Sequence, residues 1–278
     1  KSFAVLSLAL HIASGQNFCG WHTEKGKVFY VASEGRGGIN RRVQAWAKEF
    51  NYDPTGNIFF SNVSAKLGNK QYMEDMEAVI SNLAGKDRPS LIIIDTLSAS
   101  SGGLSTNDND EVGAMIQLCN DMRTRLQCSI LIVHHTGHAN TDRMRGASAL
   151  LADVDAAYKM CNEADGQWVK LSGVKMKDDA LTPETVLSPT FVKLGTNSRT
   201  GSEYGSLVLT HESEDISPAE RYVKSLGLPL DGSQALALIL LFDAGGQMDA
   251  HEWSREVQRN MKAESPRKAF SKIKNKLI

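Results

Sequence analysis

The chain has 278 residues, enough for one large α/β domain with a smaller second unit and a substantial buried core. Apolar residues make up 41% and no apolar run is long enough to cross a bilayer, while 31 basic against 32 acidic residues exclude an overall charge that would identify a nucleic-acid partner. The four cysteines form no C-x-x-C pair, which argues against a zinc site or a disulfide scaffold and predicts a cytoplasmic protein.

Helices and strands alternate through the first half of the predicted structure. Apolar residues cover most of a helix from Phe3 to Ser14, and Gly15 follows where a helix C-terminal glycine belongs. The later predicted elements are a strand from Lys27 to Ser33, a helix ending near Glu49, a short strand from Asn57 to Phe60, a helix from Gln71 to Leu83, a strand from Leu91 to Ile94 closed by Asp95, a helix from Glu111 to Leu126 and a strand from Ser129 to Val133. Because these strands lack alternation, we expect an α/β fold with a mostly parallel sheet and helices on both faces.

Shorter strand-like pieces follow Val154, with turn residues between them, and they predict antiparallel hairpins at one edge of the sheet. The predicted pieces are Ala156 to Cys161, Trp168 to Val174, Phe191 to Leu194 and Ser206 to Thr210. We therefore predict a core over residues 1–212, a polar linker over 213–233 and a small helical, winged-helix-like unit over 234–278. Three helices are expected in that unit, at Gln234 to Phe242, Ala250 to Asn260 and Pro266 to Leu277, the last with a basic face.

Three positions carry residue types suited to nucleotide chemistry. Lys1-Ser2 heads an apolar helix and equals the end of the phosphate-loop motif G-x-x-x-x-G-K-[ST], although a dipeptide alone is not diagnostic. Asp95 closes an isoleucine-rich strand, where a carboxylate can hold Mg²⁺ or simply cap the strand. Glu34 precedes a glycine-rich turn and is either a general base for an attacking water or an exposed loop residue.

The order of these segments resembles that of the RepA-like, RecA-fold P-loop ATPases, a family of hexameric plasmid replicative helicases and phage or prophage ATPases. The resemblance spans about residues 1–195. It is carried by Lys-Ser at a helix start, Val-Phe-Tyr-Val-Ala-Ser-Glu-Gly-Arg-Gly-Gly, Leu-Ile-Ile-Ile-Asp-Thr-Leu, Ile-Leu-Ile-Val-His-His-Thr-Gly and Arg-Gly-Ala-Ser-Ala-Leu. It implies an ATP-hydrolysing nucleic-acid motor with ATP and Mg²⁺ as cofactors.

The resemblance also implies roles for individual residues. Lys1 is similar to the phosphate-loop lysine, Ser2 to the Mg²⁺-ligating hydroxyl, Glu34 to the catalytic glutamate and Asp95 to the Walker B aspartate. His134 or His135 matches the polar residue that senses the γ-phosphate, and His135 is favoured of the two. The alternative is that both belong to an ordinary strand end and loop.

Further positions concern nucleic acid and the neighbouring subunit of a ring. The segment 136–146 resembles a DNA-contacting loop, with Arg143 and Arg145 as phosphate contacts, although such loops are often only solvated surface. Lys175 and Lys177 resemble paired cations inserted into a neighbour's nucleotide site, against the alternative of a solvated turn. Asp155 stands where some plasmid helicases carry an arginine finger, which departs from the family pattern.

The residues before Lys1 would hold the loop glycines and an interior strand, so the resemblance implies a chain truncated within the Walker A motif and impaired in ATP binding. Expected partners are single-stranded DNA, other copies in a ring, most simply a hexamer, and a primase or initiator, with no membrane. A RadA-like recombination mediator and a non-enzymatic DNA-binding accessory protein, acting through the basic C-terminal helix, are alternatives that the sequence leaves open.

Overall fold

The structure is a computed structural model that describes residues 1–33, 35–61, 63–135, 148–163, 168–211, 219, 223 and 232–260. Glu34, the 136–146 segment with Arg143 and Arg145, and the basic helix predicted over 266–277 lie outside the described residues. The chain divides into two compact units, Lys1–His211 and Glu212–Ile278.

The first unit follows the helix and strand order predicted from the sequence. Its elements are α1 (Ser2–Ser14), β1 (Lys27–Ala32), α2 (Ile39–Phe50), β2 (Ile58–Ser61), α3 (Lys70–Ala84), β3 (Pro89–Asp95), α4 (Leu97–Ser100), α5 (Asn109–Leu126), β4 (Ser129–Val133), α6 (Ser148–Asp153), β5 (Ala156–Glu163), β6 (Trp168–Met176), β7 (Thr185–Thr196) and β8 (Glu203–His211). A 3-10 turn, Arg36–Gly38, leads into α2. Gly15 ends α1 with a φ of 71°, a left-handed conformation in which its N–H bonds the last helical carbonyls.

Four parallel strands form the first sheet, in the order β2-β1-β3-β4. Alternate side chains of β1 and β3 enter two separate cores, because helices cover both faces. Phe29, Val31, Ile92 and Ile94 pack on the face that carries α3 and α5. Val28, Tyr30, Leu91 and Ile93 pack on the face that carries α1 and α2. The predicted α/β class and parallel sheet are therefore confirmed.

The antiparallel strands form a sheet of their own, in the order β5-β6-β7-β8. It packs against α1 and α2, with Val192 and Val208 joining the core of that face. At the start of α1, Ala4 contacts Leu187 and Leu209 of the same sheet. α1 is thus covered on two sides, which explains why apolar residues surround most of it.

The described part of the second unit contains α7 (Gly232–Asp243) and α8 (Ala250–Asn260). Ala237 and Val257 are fully buried between them and are joined by Leu240 and Trp253. The indole nitrogen of Trp253 donates a hydrogen bond to the carbonyl of Ala237 at 2.8 Å. The two helices are therefore held together by a small core within the unit.

Candidate functional site

Three neighbouring strands of the parallel sheet end level with one another. Asp95 is in register with Ala32 of β1 on one side and with Val133 of β4 on the other. Ser33, Thr96 and His134 therefore follow the three strands at a common edge. This is the edge at which open α/β sheets bind their ligands, at the carboxyl ends of the strands.

Asp95 is the buried acid of this edge, with only 4% of its surface exposed. The hydroxyl of Tyr30, on the neighbouring strand, donates a hydrogen bond of 2.7 Å to Asp95 Oδ2. Burial, reinforced by the Asp95 charge and this hydrogen bond, raises the pKa of Tyr30, so the phenol keeps its proton and is the donor.

The second oxygen of Asp95, Oδ1, is buried and accepts no hydrogen bond from the described residues. A buried carboxylate oxygen without a partner is costly and indicates a water or an ion as its natural partner. The orphan oxygen is thus the feature of this edge that points most directly to a ligand.

Hydrogen bonds between the ends of β1 and β3 fix the backbone on either side of Asp95. The N–H of Ser33 donates to the carbonyl of Asp95 at 2.7 Å. The hydroxyl oxygens of Ser33 and the fully buried Ser100 are 2.7 Å apart. Thr96 begins α4 as its N-cap, with its side-chain oxygen accepting from the N–H of Ala99 at 3.4 Å. The acid is therefore held in a rigid setting.

Lys1 lies beside the same edge, at the start of α1. Its ammonium donates a hydrogen bond of 2.8 Å to the carbonyl of His134, directly after β4. Burial lowers the pKa of the Lys1 side chain, and Cys161 acts in the opposite direction. The Arg42 guanidinium and the Asp95 carboxylate both act on the pKa of Tyr30, so Arg42 also lies near this edge, and Ser2 is the first residue of α1.

Arg42 of α2 was not singled out by the sequence analysis. Its guanidinium lies 4.4 Å from the ring centroid of Phe3, in the first turn of α1. A Cβ built on Gly35 would lie 3.7 Å from this guanidinium, so the arginine also borders the glycine-rich turn. An arginine one turn inside a helix has no motif signal, and only the packing of α2 against α1 brings it to the edge.

The edge fits a magnesium–triphosphate ligand. Mg²⁺ is usually held by one or two carboxylates together with water and substrate phosphates, and Asp95 Oδ1 supplies a carboxylate oxygen that needs a partner. Lys1 and Arg42 are two cations near this edge that would suit phosphate oxygens. Among the described residues, no group of three or more His, Cys, Asp or Glu side chains could hold a metal by itself.

The two histidines after β4 occupy different surroundings. His134 is half-buried and receives the Lys1 hydrogen bond at its carbonyl, whereas the side chain of His135 is exposed. Both directly follow the strand next to Asp95, so the place predicted for a γ-phosphate sensor lies at this edge. The choice between them stays a prediction.

The predicted trans-acting cations make contacts within the chain. Lys175 donates hydrogen bonds of 2.8 Å to the carbonyls of Leu151 and Ala152, near the end of α6. Lys177 lies 3.7 Å from Asp155, whose other oxygen pairs with Arg123 at 2.9 Å. The side chains of Lys177, Asp155 and Arg123 are well exposed, so these two ion pairs add little stability. A role in a neighbouring subunit stays a prediction.

Comparison with known proteins gives a matching family and a set of similar solved structures. The sequence profile described as "AAA domain" matches residues 1–141. The RadB recombinase is similar in structure, with a TM-score of 0.48 and 12% identity over 68% of this chain and 82% of that one. No curated protein matches the sequence.

None of the described helices has the length and apolar character needed to span a membrane.

The profile match covers 141 of the 278 residues, just over half of the chain, and contains Lys1, Ser2 and Asp95. This protein therefore belongs to the AAA domain family of P-loop, nucleotide-hydrolysing ATPases.

Proposed function

We propose that the protein is an ATP-driven motor on single-stranded DNA, of the RepA-like replicative helicase type. The observation that carries the proposal is the orphan oxygen of Asp95, buried at the same strand edge as the ammonium of Lys1. An anionic ligand that brings a divalent cation satisfies both groups at once.

Each proposed site residue would have a distinct task in phosphoryl transfer. Lys1 and Arg42 would bind phosphate oxygens and offset the negative charge that develops on them. Asp95, through Oδ1, and Ser2, through its hydroxyl, would hold Mg²⁺ and its water shell. Mg²⁺ when bound supplies charge neutralisation at the β- and γ-phosphates. Glu34 would accept the proton of the water that attacks the γ-phosphorus. The bond from the γ-phosphorus to the bridging oxygen breaks, and that oxygen leaves as part of ADP.

The motor assignment goes beyond ATP hydrolysis and rests on the resemblance of the motifs. In this proposal His135 reports the state of the γ-phosphate to the segment 136–146, where Arg143 and Arg145 contact the DNA backbone. Lys175 or Lys177 reaches the site of the next subunit in a ring, which makes hydrolysis depend on assembly.

The test measures ATP hydrolysis with and without single-stranded DNA in the protein expressed from its complete reading frame. We expect DNA to stimulate turnover, and we expect Glu34→Gln and Asp95→Asn each to lower it by about 10²-fold or more. Glu24→Gln, at an exposed position, is the matched control and should leave turnover unchanged. Full DNA-stimulated turnover in both site variants would remove the mechanism.

A second measurement separates the helicase from other DNA-dependent ATPases. ATP-dependent displacement of an annealed strand by closed rings, seen by electron microscopy, is the expected result. Strand exchange by open filaments without displacement would assign a RadA-like recombination mediator instead.

A further inference from the structure

The hydrogen bond between Tyr30 and Asp95 divides the two oxygens of the carboxylate between different tasks. Oδ2 accepts the Tyr30 hydroxyl at 2.7 Å, and Oδ1 is buried and accepts nothing from the described residues. A carboxylate rotates with a broad, two-fold preference about its last side-chain bond, so its oxygens are interchangeable unless a partner fixes them. Here Tyr30 is that partner.

We propose that Tyr30 is a positioning residue that locks the Asp95 carboxylate with Oδ1 directed at the metal of the nucleotide site. This inference rests on the proposed function, because it needs a magnesium–nucleotide ligand at Asp95. It assigns to Tyr30 no contact with the nucleotide or the metal.

The surroundings of Tyr30 suit a fixed donor. The side chain is 3% exposed and belongs to the core on the face that carries α1 and α2. Its ring lies 5.7 Å from that of Phe60. Tyr30 is in register with Ile93, so its hydroxyl reaches two residues further along β3 to Asp95. Strand pairing and ring packing therefore set the position of the hydroxyl before any ligand binds.

A fixed carboxylate changes the affinity for metal rather than the affinity for nucleotide. When the carboxylate rotates freely, part of its orientational freedom is lost as the metal binds, and this weakens metal binding. Phosphate contacts from Lys1 and Arg42 do not pass through Tyr30. Loss of the hydroxyl should consequently raise the Mg²⁺ requirement while metal-free nucleotide binding stays the same.

The experiment compares wild type with Tyr30→Phe in the full protein. Binding of a fluorescent ATP analogue is titrated first in EDTA and then against Mg²⁺. We expect unchanged binding in EDTA and a three- to tenfold higher half-saturating Mg²⁺ concentration in the variant. Hydrolysis by the variant should also need more Mg²⁺, and its rate should approach that of wild type at saturating Mg²⁺.

Tyr72→Phe is the matched control, because it also deletes a hydroxyl that donates a hydrogen bond, to the carbonyl of Ser64 at 2.9 Å. It should leave the Mg²⁺ midpoint unchanged. In an Asp95→Asn background, Tyr30→Phe should cause no further rise, because the carboxylate it positions is gone. The phenylalanine keeps the ring and its packing, and circular dichroism checks that the fold is intact.

The outcomes separate the two proposals. Equal Mg²⁺ midpoints in wild type and in a folded Tyr30→Phe variant would overturn the positioning role and leave the ATPase intact. Equal loss of binding in EDTA and in Mg²⁺ would also overturn it, since that pattern indicates general damage to the site. Absence of any Mg²⁺-dependent nucleotide binding in wild type would overturn the proposed function, and the role of Tyr30 with it.

Discussion

The imidazole of His11 is buried among aromatic rings inside the first unit. Its ring centroid lies 4.8 Å from that of Phe50, 5.1 Å from Trp46 and 5.4 Å from Phe18. Its Nδ1 lies 2.7 Å from the carbonyl of Ser7 and donates to it. Burial lowers the pKa of His11, and the hydrogen bond to Ser7 only partly opposes this. The folded state therefore favours the neutral ring.

This residue predicts a pH dependence of stability. Below an unfolded pKa of about 6.5 the unfolded chain binds a proton that the folded chain does not, so the free energy of unfolding falls as the pH drops. Each unit by which folding lowers the pKa contributes about 1.4 kcal/mol to that loss. Urea unfolding is measured between pH 5.5 and 8. The free energy of unfolding should fall less towards acidic pH in His11→Gln than in wild type. An identical profile in the two proteins, with His22→Gln as the exposed control, would contradict the assignment.

Candidate site residues that belong to a sequence motif could be predicted. Residues that reach the site only through packing could not. The sequence pattern placed Asp95 at the end of a strand and Lys1 at the start of a helix, and both lie there. Tyr30 and Arg42 have no motif signal, because an interior strand tyrosine and a helical arginine are ordinary core and surface residues in sequence. Their contacts with Asp95 and Phe3 exist only once β1 pairs with β3 and α2 packs on α1.

Close backbone contact between β7 and β8 makes Gly205 a sensitive position in the second sheet. A Cβ on Gly205 would lie 2.1 Å from the carbonyl oxygen of Val192 and 2.9 Å from Cζ of Phe191. We expect Gly205→Ala to lower the free energy of unfolding by about 2–3 kcal/mol, because the strands must separate to admit the methyl group.

Gly113 provides the control, since it lies in α5 and a Cβ there would meet nothing within 4 Å. Gly113→Ala should raise the free energy of unfolding by about 1 kcal/mol through helix propensity. Urea denaturation of both variants measures the difference. Equal stability of Gly205→Ala and wild type would show that the strands accommodate the group.

Most elements were predictable because their apolar periodicity is strong, and β4 (Ser129–Val133) and α8 (Ala250–Asn260) have the predicted bounds. β7 was predicted only over Phe191 to Leu194, whereas it runs from Thr185 to Thr196. Pro189 obscures it, since proline is normally excluded from interior strands. The strand tolerates Pro189 because its pairing with β6 covers only Thr185 to Leu187, so no ladder bond to β6 is lost.

At the scale of the whole molecule, the separate cores of the two units predict that the first can fold by itself. Among the residues that the structure describes, the members of the cores of the parallel and antiparallel sheets all lie between 1 and 211. α7 and α8 have their own small core. A chain ending at His211 should unfold cooperatively in urea, with the circular dichroism of an α/β protein.

The same shortened chain tests where DNA is bound. Retention of DNA binding by residues 1–211 is expected if the segment 136–146 makes the contacts. Loss of binding by a cooperatively folded 1–211 chain would favour a DNA-binding role for the basic stretch 266–278 instead. A chain that fails to fold would show that the first unit depends on the second.

The sequence predicted antiparallel hairpins at one edge of the sheet, and the structure has them as a second, four-stranded sheet. Alternating residues show that one face of a strand is buried, yet they do not identify what covers it. Here the covering elements are α1 and α2, so the hairpins make a separate sheet. The placement depends on long-range packing, which local patterns do not encode.

The burial of α1 on two sides has a consequence for the start of that helix. Leu6 and Leu10 face the parallel sheet, while Ala4 contacts Leu187 and Leu209 of the antiparallel sheet. Both contacts help to hold the first turn of α1, and with it Lys1 and Ser2, in place. Leu209→Ala should therefore loosen the first turn of α1 and weaken the nucleotide binding proposed for Lys1 and Ser2, as measured by titration of a fluorescent ATP analogue.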